Sequence, residues 1–207
     1  MKNVTRVLIV FVVFAFVLSA CGGTAPAKTF TAADFKNVTL VAADFPEGFD
    51  ILTKADAEAM GLDLTSFESS MAAFTKADVV NTAVAMNQSM EAFQVVVAFV
   101  LAPMTQDEIT GFDKELSDPE SAKTQFASGL GGDAAFLAGA DALGDKSIGF
   151  DLTIDSSGVI LRGELVIARR GVGLQMVVLL WLDGATKQVN AVDLSKKLDT
   201  MMVNVQK

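Results

Sequence analysis

The 207-residue chain contains no histidine and no tyrosine, one cysteine, one tryptophan and four prolines. Without histidine there is no imidazole base, so Ser-His-Asp and Cys-His mechanisms are excluded, as are histidine metal sites. Without tyrosine there is no phenolic acid–base chemistry. A single cysteine cannot close an intramolecular disulfide. Basic residues are also scarce: 16 against 25 acids, a formal charge of −9 and a pI near 4.4. That balance argues against nucleic acid as a partner. What is abundant is apolar surface, 51% of residues with 20% charged, enough for a buried core and incompatible with a disordered or collagen-like chain.

Part of that hydrophobicity is concentrated at the N-terminus. Lys2 and Arg6 make a short positive region, and Val7 to Leu18 is an unbroken apolar run. The run is shorter than the roughly 20 residues of a membrane span and fits the apolar segment of an export signal. Leu18-Ser19-Ala20-Cys21 follows. These twenty-two residues resemble the lipobox of bacterial lipoproteins, in which a branched residue and two small ones precede the cysteine that becomes the new N-terminus. The resemblance implies a signal peptide over 1–20 and diacylation of Cys21. It places the mature chain outside the cytoplasm, anchored to a bacterial membrane. Two acyl chains anchor stably where one is marginal, at about 0.8 kcal/mol per buried methylene. Losing Lys2 and Arg6 with the signal takes the net charge from −9 to −11.

Residues 21–35 read as a flexible tether, beginning Cys21-Gly22-Gly23-Thr24-Ala25-Pro26, and 36–207 as one globular domain. Pro46 and Gly48 mark a turn after residue 38. Thr53 caps a short helix over 54–60, and Phe67, Met71 and Phe74 share one face of another. Strands are expected near 79–86 and 91–102, the second almost continuously apolar, as for a central strand covered on both faces. Thr105 to Glu108 is a capping box, and a second helical stretch runs from Pro119 to about 128. Gly131 to Leu143 reads as a loop. Three strands, 147–154, 159–168 and 172–182, are joined by hairpin-sized turns, and Leu194, Leu198, Met201, Met202 and Val205 space as an amphipathic C-terminal helix. The expected fold is α+β: a mainly antiparallel sheet of about five strands covered by helices. Leu143-Gly144-Asp145-Lys146-Ser147 before paired strands, Arg169-Arg170-Gly171 and the terminal helix resemble small exported lipoprotein domains of PsbP-like or sensor type. That likeness covers under half the chain and implies the fold alone.

Candidate chemistry is sparse. Gly139 to Ser147 nearly spells a phosphate-binding loop, but Asp145 is inserted where the phosphate would sit. Asp107, Glu108, Asp113, Glu115, Asp118 and Glu120 read as solvated helix acids near helix starts. Asp133, Asp141 and Asp145 are a weak calcium set without EF-hand spacing. The nine methionines are scattered as core filling rather than as a copper site. Ser147, Ser156 and Ser157 have no histidine to activate them. Arg169 and Arg170, at an expected turn, could meet an anionic headgroup or partner, or simply keep the turn soluble. The expectation is a non-enzymatic binding or interaction module for a partner protein or apolar ligand, with no cofactor and no nucleic acid. The alternative is a lipid-anchored enzyme using carboxylates or a metal.

Overall fold

A computed structural model describes residues 28–66, 68–69, 77–130, 132–156 and 158–207. Seven strands form one sheet in the order β1-β2-β3-β7-β6-β5-β4, every neighbouring pair antiparallel. The strands are β1 (Phe49–Leu52), β2 (Val79–Asn87), β3 (Gln94–Leu101), β4 (Gly132–Phe136), β5 (Lys146–Ser156), β6 (Val159–Arg170) and β7 (Gly173–Leu182). The helices are α1 (Lys54–Ala59), α2 (Gln106–Glu115), α3 (Pro119–Leu130) and α4 (Ala191–Gln206). Two meanders, β1–β3 and β4–β7, are joined by α2 and α3, and the second folds back so that β7 lies beside β3.

The fold is α+β as expected, but the sheet has seven strands instead of about five. The two unexpected strands are the edges. β1 is four residues long and starts one residue after the Pro46–Gly48 turn; β4 is Gly-Asp-Ala-Ala-Phe, with no β-branched residue. β1 is too short for its alternating Phe49 and Ile51 to stand out and β4 is mostly small residues, so each is fixed by its ladder, Phe49–Leu52 against Val84–Asn87 and Gly132–Phe136 against Phe150–Ile154.

The period of two divides β3 and β7 between two cores. Val96, Ala98 and Val100 join Val177 and Leu179 on the first face; Phe99 and Leu101 join Leu174 and Met176 on the second. On the first face lies α4, which turns Ala191, Leu194, Ser195, Leu198 and Met202 inward. Ala83, Ala85, Ala98 and Ala168 on that face let the covering residues come close. The second face is covered by α1, Leu62, Leu64, α2 and Ala122 of α3. Phe99 and Phe150 are essentially inaccessible there, each contributing on the order of 2–3 kcal/mol of burial.

The tether expected over 21–35 gives way before residue 35. Residues Ala32–Phe35 form a 3-10 turn, and Phe35 is fully buried in the first core with Val38 and Leu40. An aromatic ring at that position makes the segment part of the domain. The expected second short helix is helical at 64–66 and 68–69; Phe67, Met71 and Phe74 lie outside the described residues. Among the described residues, no helix is long and apolar enough to cross a membrane.

Candidate functional site

Cys21 lies outside the described residues. From Lys28 onward the chain is tied to the end of the sheet that holds the β6–β7 turn. Lys28 donates from Nζ to the Val205 carbonyl at 3.0 Å and lies 4.8 Å from the centroid of the Phe30 ring. Phe30 meets Phe35 edge-on, and Phe35 fills the space left open by Gly173, where a Cβ would come within 3.0 Å of its ring. The described chain therefore joins the domain, from Lys28, beside the C-terminal end of α4.

Arg169 and Arg170 sit at this same end, as the last two residues of β6 and not in the turn itself. Consecutive strand residues face opposite ways, so each guanidinium reaches a different layer. Arg169 donates to both carboxylate oxygens of Asp113 on α2, at 2.9 and 2.8 Å. Arg170 does the same to Asp199 on α4, at 2.8 Å for each bond. Asp145 bridges the two, accepting from Arg169 at 3.2 Å, from Arg170 at 3.0 Å and from the Gly171 amide at 2.7 Å. The Asp199 hydrogen bonds, ahead of the opposing cost of burial, hold Arg170 above the ordinary arginine pKa. Gln206 closes the turn by donating to the Arg170 carbonyl at 2.8 Å and accepting from the Val172 amide at 3.0 Å.

This is a clasp, in which both arginines fasten helices from opposite faces of the sheet. Gly144 is required by it: φ is +59°, and a Cβ there would run into the Arg169 carbonyl. The pair of arginines was legible in the sequence, but its three aspartates were not, since they come from α2, the turn before β5 and α4.

The opposite end of the sheet carries a second polar group that the sequence reading missed. Glu164 of β6 is buried, yet its carboxylate accepts from the Ala191 amide at 2.8 Å, in the first turn of α4, and pairs with Lys187. A carboxylate there also suits the positive end of the helix dipole. Lys187 lies 5.2 Å from the Trp181 ring centroid, so the tryptophan at the end of β7 has a cation over one face. Gln94, fully buried in β3, donates to Thr186 O at 2.8 Å and accepts from the Gln188 amide at 3.1 Å, holding the β7–α4 loop on the sheet. Polar residues within apolar strand runs were the available signal.

The remaining candidates are dispersed. Asp133 lies on β4, away from Asp145, whose oxygens are occupied by the clasp; Asp141 is exposed. Among the described residues, no three His, Cys, Asp or Glu side chains come together as metal ligands. In the acid-rich helical stretch, Glu108 closes the α2 cap by accepting from the Thr105 amide at 2.5 Å. Asp118 accepts from the Ser121 amide, and Glu120 pairs with Lys123. Of the near-phosphate loop, Ser147 Oγ accepts from the Leu143 amide at 3.2 Å and Asp145 N donates to Arg169 O, so the segment serves the clasp. Met104 and Met176 are in the second core, Met202 is in the first, Met86 is buried on β2, and Met60 and Met90 are exposed. Comparison with protein-family models, curated proteins and solved structures finds no match.

Proposed function

We propose that this chain is an extracytoplasmic lipoprotein, held to a bacterial membrane through diacylated Cys21, that acts as a non-enzymatic binding module for a partner protein or an apolar ligand. One observation carries the reading: the positive start, the apolar run Val7 to Leu18 and Leu18-Ser19-Ala20-Cys21 stand in the lipoprotein order, and the cysteine they place is the sole one in the chain. An exported chain with one cysteine has no disulfide partner within itself, and lipidation gives that thiol a use.

The geometry around Lys28 supports an orientation. A tether from Cys21 pulls on the clasp end, so the end carrying the β5–β6 hairpin and the β7–α4 loop points away from the bilayer. Catalysis would have to run without histidine, and the arginines nearest the anchor are already bound to aspartates.

The test is metabolic labelling with radioactive palmitate, followed by detergent-phase partitioning. The native chain should carry label and enter the detergent phase. Cys21→Ser should lose the label and the cut before residue 21. Label that persists in Cys21→Ser would overturn the proposal.

A further inference from the structure

At the end of the sheet opposite the clasp, Glu164, Trp181 and Lys187 form a small cage around one cation. Glu164 is 3% exposed, and one of its oxygens is fixed without the lysine, accepting from the Ala191 amide at 2.8 Å. The other oxygen takes the Lys187 ammonium, which also lies 5.2 Å from the centroid of the partly exposed Trp181 ring. A buried carboxylate beside an aromatic face is a receptor for a cation, because removing the partner leaves its charge uncompensated. Arg162, the cross-strand neighbour of Trp181, is committed elsewhere, to Asp183 and Thr153 at 2.8 Å each. Asp151, the exposed cross-strand partner of Glu164, adds negative charge on the same face.

Lys187 is the movable member of the cage. The backbone on either side of it is held down. The Thr186 amide donates to the Glu91 carbonyl at 2.9 Å, and the Thr186 carbonyl accepts from Gln94 at 2.8 Å. The Gln188 amide donates to Gln94 at 3.1 Å. The Lys187 side chain is 37% exposed on a flexible four-carbon stem. It can swing into water while the loop, Glu164 and Trp181 stay in place.

We propose that Glu164 and Trp181 form a binding site for a small organic cation of the alkylguanidinium class, with Lys187 as its built-in plug. An ammonium ligand would replace like with like. A guanidinium is more weakly hydrated, stacks its plane on the indole and still donates to Glu164, which gives it the advantage needed to displace the lysine. The plug competes from within the chain, at an effective concentration that keeps the native affinity in the millimolar range. The inference goes beyond the anchored-module reading: it adds a ligand class and does not depend on Cys21.

The test is titration of the full chain in zwitterionic nanodiscs with N-butylguanidinium, followed by the fluorescence of Trp181, the sole tryptophan. The native chain should show a saturable change, and Lys187→Met should bind at least tenfold more tightly. N-butylammonium should bind at least threefold more weakly than N-butylguanidinium, and butan-1-ol should give no saturable change. Far-UV circular dichroism checks the fold of the variant. Lys187→Gln, which keeps a donor for Glu164 and removes the charge over the ring, should gain at least threefold. The proposal is overturned by an absence of saturable change in the native chain, by a native affinity that neither substitution improves, or by an equal response to butan-1-ol. It is also overturned by tighter binding of the ammonium, which would make the class wrong. Palmitate labelling at Cys21 is independent of position 187, so failure of the anchor reading and failure of this site give different results.

Discussion

Replacing Arg169 by methionine tests whether the clasp holds the two helical layers together. Methionine keeps much of the stem and removes the fork that makes two bonds to Asp113, one to Asp145 and one, at 3.1 Å, to the Gly171 carbonyl. The arginine side chain is 10% exposed, while Asp113 and Asp145 are 37% and 41% exposed. Losing one partner of a fully buried pair costs about 3–5 kcal/mol. Here the carboxylates are partly open to water and recover hydration, so the expected loss is smaller, about 2–3 kcal/mol. In urea unfolding with a slope of about 2 kcal/mol per molar, the midpoint should fall by roughly 1–1.5 M with the slope unchanged. Arg169→Lys should recover less than half, because an ammonium cannot engage Asp113 with two parallel bonds. A double-mutant cycle with Asp113→Asn should give a coupling of about 1–2 kcal/mol. Loss of less than about 0.5 kcal/mol, the scale of an ordinary surface substitution, or a strictly additive cycle would refute the clasp.

Gly144→Ala should be far more costly than Gly61→Ala. Both positions have positive φ, but Gly61 faces open space while a methyl at 144 meets the Arg169 carbonyl. About 1 kcal/mol is expected at 61 and about 3 kcal/mol or more at 144, and equal losses would count against the close approach. Ser195→Ala should be neutral or stabilising by about 0.5 kcal/mol, since the buried Ser195 Oγ has no hydrogen-bond partner and alanine is the better helix former. A clear destabilisation in thermal unfolding would show that the hydroxyl is bonded. Asp193, the residue whose amide donates to the α4 cap Asn190, has a lowered pKa through the Asn190 side-chain hydrogen bond first and Lys196 second. Its contribution is therefore present above the unfolded aspartate pKa and lost as pH falls through the folded one. Asp193→Asn should flatten the acid limb of the stability–pH curve, and an unchanged limb would refute the assignment.

The central architecture was legible because its signals are local. The run Val95 to Leu101 in β3 is buried on both faces, the short turns after β5 and β6 make a meander, and Thr105 and Pro119 mark helix starts. β1 and β4 were not legible, because four residues are too few for Phe49 and Ile51 to show a pattern, Ala134 and Ala135 have no strand preference, and both strands are held by their ladders. Phe35 was read with the tether because its neighbours are small and polar, and its burial depends on Gly173 and Met202. Arg169 and Arg170 stood out as a pair. Their meeting with Asp113, Asp145 and Asp199 depends on three elements converging, and Glu164 depends likewise on the start of α4. No spacing in the sequence encodes those distances.

The most direct measurement for the central claim is the mass of the N-terminal peptide of the protein recovered from the cells that express it. A lipoprotein module predicts a chain beginning at Cys21 that carries a thioether-linked diacylglycerol. A chain that begins at Met1, or at Cys21 with a free thiol, would contradict it.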